Sequence, residues 1–336
     1  MGWQRSIVLV FVLFSWSAMA SSGYLTGDDI RKNQIRQNLT FVGKYLLEGK
    51  PDNSDTLFVQ VPKQHRAIKG FMDFSGSSIQ FKGSYEDDKF TTDLRSPFLV
   101  KQGFAFTWRS ITLSLGFNLF NKPKNYFKIG LNSYGKKFAF ELGFKTDKNF
   151  QGTQLFDGIR TAIPSESLKH TALTGDVYYI FNGNRFSYPA AFNQSRIQRE
   201  SAGSIIAAAS ANYFKTRTLN KNADIPYEGS FGGFTMGIGA GYGYNLVLGN
   251  FLFHASVIPT LVILDSNTLT VDGQKTKLSY QFPHFIFTGN LSVVYNRNKF
   301  FAALRATFHN CNAGNSNNMV VNYFRANGTL CVGWRF

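Results

Sequence analysis

The chain has 336 residues and a formal net charge of +16, and it contains 35 Phe, 15 Tyr and 31 Gly. Its mean hydropathy of -0.15 is too low for a protein that crosses a membrane with several helices. The basic residues are scattered, with no arginine-rich run, so we expect no nucleic acid as a partner. Many aromatics at a polar average instead favour strands that alternate between lipid and a polar interior.

The first predicted element is a secretory signal peptide at residues 1–20. Arg5 gives a weakly positive start, Ile7 to Trp16 form an apolar run, and Ala18-Met19-Ala20 fits a cleavage site of small residues. The run is shorter than the ~20 residues that a transmembrane helix needs. A buried N-terminal helix is the alternative. We therefore expect export of the chain, with cleavage after Ala20.

A periplasmic leader is predicted at residues 21–67, with an amphipathic helix at 28–48. Asp28 can cap this helix, and Gly49 with Pro51 ends it. Apolar side chains recur on one face with helical period, namely Ile35, Leu39, Val42 and Leu46. The helix either packs in the barrel mouth as a plug or lies on the periplasmic rim.

From residue 68 to 336, apolar and polar side chains alternate with period two. This pattern predicts an all-β fold, an antiparallel transmembrane β-barrel of about 12 strands, with 10–14 possible. The predicted strands centre on 69–83, 98–108, 110–120, 125–134, 136–146, 170–181, 203–216, 231–246, 250–263, 284–296, 299–310 and 321–336. A soluble sandwich, with these side chains packed between two sheets, is the alternative.

The connections between the predicted strands alternate in length. Short turns, such as Tyr134-Gly135-Lys136, are expected on the periplasmic side, and long outer loops are expected at 84–97, 147–169, 217–230, 264–283 and 311–320. One inner connection breaks this rule, because residues 182–202 form a long loop.

The last strand carries Leu330, Val332, Trp334 and Phe336 on one face. It resembles the C-terminal strand of bacterial outer-membrane barrels, whose last residue is typically Phe. This resemblance implies that Trp334 and Phe336 form the assembly signal and that the barrel assembly machinery is a partner. It also implies the cell outer membrane as the location.

The long inner loop contains Arg185-Phe186-Ser187-Tyr188-Pro189-Ala190-Ala191-Phe192-Asn193-Gln194. With this run the chain resembles a Bacteroidota family known only as domain of unknown function 4421, which is outer-membrane β-barrel-like. The resemblance extends more loosely to Tyr126-Phe127 and 131–138, and it covers roughly Lys69 to the end. It implies a Gram-negative outer-membrane setting and no catalytic residues.

The inner loop is too apolar for a turn that extends into water. It either folds into the barrel as a plug that stabilises closure, or it forms a docking surface for a periplasmic partner. The residues expected to carry either role are Arg185, Phe186, Tyr188, Pro189, Phe192, Arg196 and Arg199.

Charged side chains on the polar faces of the strands are expected to line the lumen. They are Asp73, Lys128, Glu141, Lys145, Asp176, Arg305 and Arg335. They form either a paired network that fills a narrow barrel or a selective pore lining. Alternate glycines from Gly237 to Gly243 either thin one wall or admit a neighbouring side chain or plug. The net charge further favours contact with outer-membrane lipids and lipopolysaccharide.

Three side chains are candidates for catalysis, because lipases and deacylases of this class place a His and a Ser near the outer rim. They are His254 with Ser256, two apart on one strand face, and His309. The five histidines show no ligand spacing for a metal, and we expect no cofactor. Cys311 and Cys331 are expected at different heights of one hairpin, and therefore as free thiols.

The sequence thus predicts an outer-membrane barrel without enzymatic activity. Its function is interpreted as a narrow pore, or as a structural barrel that docks partners. The alternative is a lipid-active enzyme of the phospholipase or deacylase type, with His254 and Ser256 at its centre.

Overall fold

The computed structural model describes residues 54–85, 88–117, 127–148, 150–165, 167–219, 229–271, 273–278, 282–315 and 319–336. The predicted signal peptide and the leader helix at 28–48 lie outside these residues. In the described part of the chain, no helix has the length and apolar character needed to cross a bilayer.

The described residues form seventeen strands and one short helix. In chain order they are β1 (Val59–Gln60), β2 (Arg66–Tyr85), β3 (Asp88–Trp108), β4 (Ile111–Phe117), β5 (Phe127–Tyr134), β6 (Phe138–Asp147), β7 (Gln151–Phe156), β8 (Ile159–Ile163), β9 (Leu168–Ile180), α1 (Tyr188–Phe192), β10 (Ile197–Gln198), β11 (Ala202–Thr218), β12 (Gly229–Leu248), β13 (Phe251–Val271), β14 (Gln274–Leu278), β15 (His284–Arg297), β16 (Phe300–Asn315) and β17 (Met319–Arg335).

Twelve of these described strands pair into a closed ring, in the order β2-β17-β16-β15-β13-β12-β11-β9-β6-β5-β4-β3. The ring closes because β2 pairs with β17 on one side and with β3 on the other. Every pairing is antiparallel, and closure removes the exposed edges that an open sheet would present. The prediction of a twelve-stranded antiparallel barrel is therefore confirmed.

Side chains along each strand alternate between the outside and the interior of the barrel. In β17, Leu330, Val332 and Trp334 are 42–51% exposed, whereas Cys331 and Arg335 are at most 3% exposed. Phe336 follows on the outward face and is 51% exposed. The predicted assembly residues Trp334 and Phe336 thus lie on the outer surface of the barrel.

The strands extend farther than predicted at the end of the barrel opposite the termini, which we call the outer end. Most of the predicted loop at 84–97 belongs to β2 and β3, and the loop at 264–283 contains the end of β13 and all of β14. The loop at 147–169 contains the β7–β8 hairpin. Residues 88–93 read DKFTTD and lack apolar alternation, so the pairing continues where the sequence pattern has ended.

The two cysteines lie at different heights, as predicted. Cys331 pairs with Ala303, and Cys311 pairs with Tyr323, eight positions farther along each strand. At ~3.3 Å per residue this is roughly 26 Å of strand, well beyond the ~7 Å limit for bridged Cα atoms. Cys331 is a free, buried thiol.

Buried apolar side chains fill the interior of the barrel in two layers. One layer surrounds α1 at the inner end of the barrel, which is the end where β2 begins and β17 ends. The other, which we call the outer apolar layer, lies near the outer end and comprises Ile79, Leu94, Phe150, Ile163, Leu168, Phe231 and Val321, with Phe81 and Phe214 packed against them. The rings of Phe81 in β2 and Phe231 in β12 meet with centroids 5.2 Å apart. These strands are five positions apart in the ring, so this layer spans the lumen.

Candidate functional site in the barrel lumen

The inner loop at 182–202, here called the lumen segment, forms a compact turn of helix. The Ser187 hydroxyl accepts a hydrogen bond from the Ala190 amide at 3.3 Å, and Pro189 lies in the first turn, where its missing N–H is not needed. After the helix, Gln194 has a φ of 59°, which turns the chain back towards the inner end.

Aromatic rings of the lumen segment are buried against the barrel wall. Phe186 and Tyr188 are at most 1% exposed, and the Tyr188 and Phe192 rings stack with centroids 4.3 Å apart. Around them lie Tyr134 of β5 and His254 of β13, which belong to well-separated parts of the ring. Burial is the main reason that the pKa of Tyr188 is raised well above its usual value, so its hydroxyl stays neutral.

The carbonyl groups at the end of α1 are held by side chains from three adjacent strands. Arg335 Nη2 donates to the Gln194 oxygen at 2.9 Å, Arg305 Nη1 donates to the Phe192 oxygen at 3.0 Å, and Ser292 Oγ donates to the Ala191 oxygen at 3.0 Å. The last carbonyls of a helix have no partner within the helix, and the partial negative charge at a helix C-terminus favours nearby cations. Because wall residues on several sides contact it, the segment lies inside the ring.

Gln198 connects the end of the lumen segment to its beginning. Its Nε2 donates to the Arg185 oxygen at 2.6 Å, and its Oε1 accepts from the Ser187 amide at 2.7 Å. The two-residue strand β10, which contains Gln198, pairs with β1. Arg185 is exposed and forms an ion pair with Asp55 at 3.5 Å. The segment is therefore tied to residues 54–60 as well as to the wall.

The alternate glycines of β12 admit the lumen segment at one position. A Cβ on Gly243 would lie 3.1 Å from Phe186 Cζ, 3.0 Å from Ile206 Cδ1 and 3.3 Å from Ser256 Cβ. These distances are shorter than ordinary van der Waals contacts, so a side chain at 243 would push against Phe186. The sequence left open whether the alternate glycines thin one wall or admit a neighbouring side chain or plug. At Gly243 the structure supports the second interpretation, because the missing side chain leaves space for Phe186.

Ser256, His254 and Asn245 form a hydrogen-bonded row beside the lumen segment. His254 Nε2 lies 3.1 Å from Ser256 Oγ, and His254 Nδ1 lies 2.7 Å from Asn245 Oδ1. Asn245 Nδ2 donates to the Ser187 oxygen at 3.0 Å, which leaves Oδ1 as the acceptor. His254 therefore carries its proton on Nδ1 and accepts from Ser256. All three residues are at most 3% exposed and lie near the inner end, not at the outer rim.

The predicted lumen charges face the interior, and six of the seven line one cavity of about 240 Å³ between the lumen segment and the outer apolar layer. These six are Asp73, Lys128, Glu141, Lys145, Asp176 and Arg305. Arg335 lies below the cavity, against the lumen segment. Asp73 is 2.8 Å from Lys128 Nζ and accepts from Thr329 Oγ1 at 2.7 Å, so this carboxylate is fully paired.

Further charged residues of the lumen were missed by the sequence reading. Lys69 and Arg325 also line the cavity. Lys101 and Asp147 form a buried pair at 3.8 Å, and Lys145 lies 3.5 Å from the same carboxylate. Arg325 has the same alternation as Cys331 and Arg335, so period two along β17 would have found it. Asp147 lies one residue beyond the predicted strand. Within the described residues, no cluster of three or more His, Cys, Asp or Glu side chains could hold a metal ion.

The family model described as Domain of unknown function (DUF4421) matches residues 53–336. The chain belongs to this family. The match covers the whole described barrel together with the lumen segment, so the family resemblance read from 185–194 is confirmed. No curated protein matches the sequence.

Solved structures with a similar fold are outer-membrane barrels. The outer membrane protease OmpT of Escherichia coli has 5% identity and a TM-score of 0.42, covering 82% of this chain and 97% of that chain. The translocator domain of the autotransporter NalP of Neisseria meningitidis has 11% identity and a TM-score of 0.32, covering 94% and 100%. The toluene transporter TodX of Pseudomonas putida has 8% identity and a TM-score of 0.33, covering 87% and 93%. These similarities say nothing about activity.

Proposed function

We propose that this family member is an exported outer-membrane protein of a Gram-negative bacterium of the Bacteroidota. Its barrel is closed at rest, and the lumen segment is the plug that controls a narrow passage. The observation that carries the proposal is the set of wall side chains, Arg335, Arg305 and Ser292, that hold the carbonyls of α1. The outward apolar face, which ends in Trp334 and Phe336, contacts outer-membrane lipids and lipopolysaccharide, and the barrel assembly machinery inserts the chain.

The size of the barrel supports a plug. Eight strands leave an interior just wide enough for side chains to fill, whereas sixteen or more leave an aqueous channel. Twelve strands enclose more space than wall side chains fill, and the lumen segment occupies the inner end of that space. The outer apolar layer narrows the other end, where the Phe81 and Phe231 rings meet with centroids 5.2 Å apart. Apolar packing at both ends of the lumen fits a gated passage better than an open pore.

Docking of a periplasmic partner is a narrower role for the same segment. Phe186, Tyr188, Pro189 and Phe192 are buried, so among the residues predicted for docking a partner could reach the exposed Arg185 and Arg199 and the half-buried Arg196. A partner that pulled on these arginines would act on the plug, because Gln198 lies next to Arg199 and binds the Arg185 oxygen.

The test is conductance of the purified protein in planar bilayers. We expect the wild type to be almost silent and a deletion of residues 185–200 to conduct steadily. Arg335→Gln removes one anchor of the plug and should give intermittent openings, whereas Arg297→Gln, at an exposed turn, should remain silent. The change in gel mobility on heating shows whether each barrel is folded. A folded deletion variant that stays silent, or a wild type that conducts like it, would contradict the proposal.

A lipid-active enzyme is the second candidate, because Ser256, His254 and Asn245 meet the geometric requirement for a base-activated nucleophile. Their burial beneath Phe186 and Tyr188 argues against it, since an ester would reach Ser256 only after the plug moves. The discriminating assay is phospholipid hydrolysis. Catalysis requires that Ser256→Ala abolish activity while Ser77→Ala, at a buried serine of β2 that does not contact the plug, retains it. No hydrolysis by the folded wild type rejects this candidate.

A further inference from the structure

We propose that the central cavity of the lumen is a binding site for a small hydroxylated anion, such as a sugar phosphate or a hydroxy acid. The cavity lies between the lumen segment and the outer apolar layer, and Tyr188 and Phe192 form part of its wall. The inference deepens the proposed function by naming the class of solute, and it rests on that function only in assuming that the cavity is enclosed.

The charges that line the cavity favour an anion. Five cationic side chains face three carboxylates there, with Lys69, Lys128, Lys145, Arg305 and Arg325 against Asp73, Glu141 and Asp176. The carboxylate of Asp73 is neutralised by Lys128 at 2.8 Å. Lys145 in turn lies 3.5 Å from the Asp147 carboxylate, so Lys69, Arg305 and Arg325 remain against Glu141 and Asp176 and leave one positive charge in excess. Inside the barrel this charge is less screened than on the outer surface, so it attracts an anion more strongly than exposed lysines would.

Two arginines present donors that the protein does not use. The Nε atoms of Arg305 and Arg325 are buried and have no hydrogen-bond partner among the described residues. A buried N–H without a partner costs free energy, and an arginine fork matches a carboxylate or phosphate group. Arg305 Nη1 donates to the Phe192 oxygen, whereas its Nε has no partner and can donate to a ligand.

The barrel topology separates the basic and acidic sides of the cavity. Arg325 and Arg305 belong to the adjacent strands β17 and β16, whereas Glu141 and Asp176 lie directly opposite each other on the adjacent strands β6 and β9. In the ring of twelve, each of these pairs of strands lies across from the other. A ligand with its anionic group on the arginines would therefore turn its other end towards two carboxylates.

Glu141 and Asp176 determine which chemical groups the ligand can carry at the end that faces them. Tyr134 donates its hydroxyl to Glu141 Oε1 at 2.5 Å, which leaves acceptor capacity on both carboxyl groups. Hydroxyl groups can donate to such acceptors, whereas a second anionic group would be repelled. The volume of about 240 Å³ limits the ligand to less than drug size, since pockets for drug-sized molecules begin at roughly 300 Å³. A small, hydroxylated anion fits the excess positive charge, the carboxylate acceptors and the volume of the cavity.

The experiment is calorimetric titration of the folded, full-length barrel in detergent with glucose 6-phosphate, glucose, glucosamine and inorganic phosphate. We expect glucose 6-phosphate to bind, glucose and glucosamine not to bind, and inorganic phosphate to bind more weakly than the sugar phosphate. Added sodium chloride should weaken binding. Arg325→Gln should lower the affinity at least tenfold, and Arg297→Gln, outside the cavity, should leave it unchanged.

The outcomes separate this inference from the proposed function. Equal binding of glucose and its phosphate, tighter binding of glucosamine, no binding of any probe, or an unchanged affinity in folded Arg325→Gln overturns the anion site. Equal binding of inorganic phosphate and glucose 6-phosphate overturns the role given to hydroxyl groups. A conducting wild type refutes closure by the plug, but it does not affect the titration, because binding is measured without a bilayer.

Discussion

Gly243→Val tests whether the lumen segment depends on a gap in the barrel wall. A Cβ at this position would come within 3.0–3.3 Å of Ile206, Phe186 and Ser256, and the two methyl groups of valine would extend farther into the same space. Overpacking a filled interior typically costs ~1–3 kcal/mol. We therefore expect the free energy of unfolding to fall by about that amount, and we expect Phe186 to leave its site.

Gly289→Val is the matched control, because a Cβ on Gly289 has no neighbour within 4 Å. Both changes replace a strand glycine by the same β-branched residue, so the gain in strand propensity is shared and the difference reports the clash. Urea unfolding in lipid vesicles measures stability, and bilayer conductance measures release of the plug. If the two variants unfold at the same urea concentration and are equally silent, Gly243 does not seat Phe186 and the reasoning is wrong.

Three further predictions concern the ion pair, the thiols and the C-terminus. Asp73→Asn should cost ~1–3 kcal/mol, less than for a fully buried pair because the Lys128 side chain is 39% exposed, and the loss should be smaller in a Lys128→Met background; equal losses in a double-mutant cycle would refute the coupling. A non-reducing mass map should show no Cys311–Cys331 bridge, and Cys331 should react with maleimide only after unfolding; rapid labelling of the folded barrel would contradict its burial. Phe336→Ala should reduce the amount of barrel in the outer membrane more than Leu330→Ala does, as measured by membrane fractionation, although the two side chains are similarly exposed; equal loss would show a general effect of lipid-facing area.

The barrel fold and the direction of each strand side chain follow from the local alternation of apolar and polar residues. Leu330, Val332 and Trp334 alternate with polar or small residues, and a barrel with an apolar outer surface and a packed interior satisfies that alternation. The strand ends were less predictable, because the outer parts of β3 and β13 keep their backbone pairing after apolar alternation stops. Hydrogen bonds to a neighbouring strand leave no period-two signal in the sequence when neither face of the strand is apolar.

Period two was sufficient to show that Asp73, Glu141, Asp176 and Arg305 face inward, since it determines the face of each residue from its own strand alone. It could not show which charges meet, because Lys128 and Asp73 are 55 residues and three strands apart and come together only where the sheet curves into the barrel. The same holds for the lumen segment, whose aromatic residues exclude a solvated turn but leave both a plug and a docking surface open. Closure brings β12, β15, β16 and β17 around it, and their side chains hold its carbonyls inside the barrel.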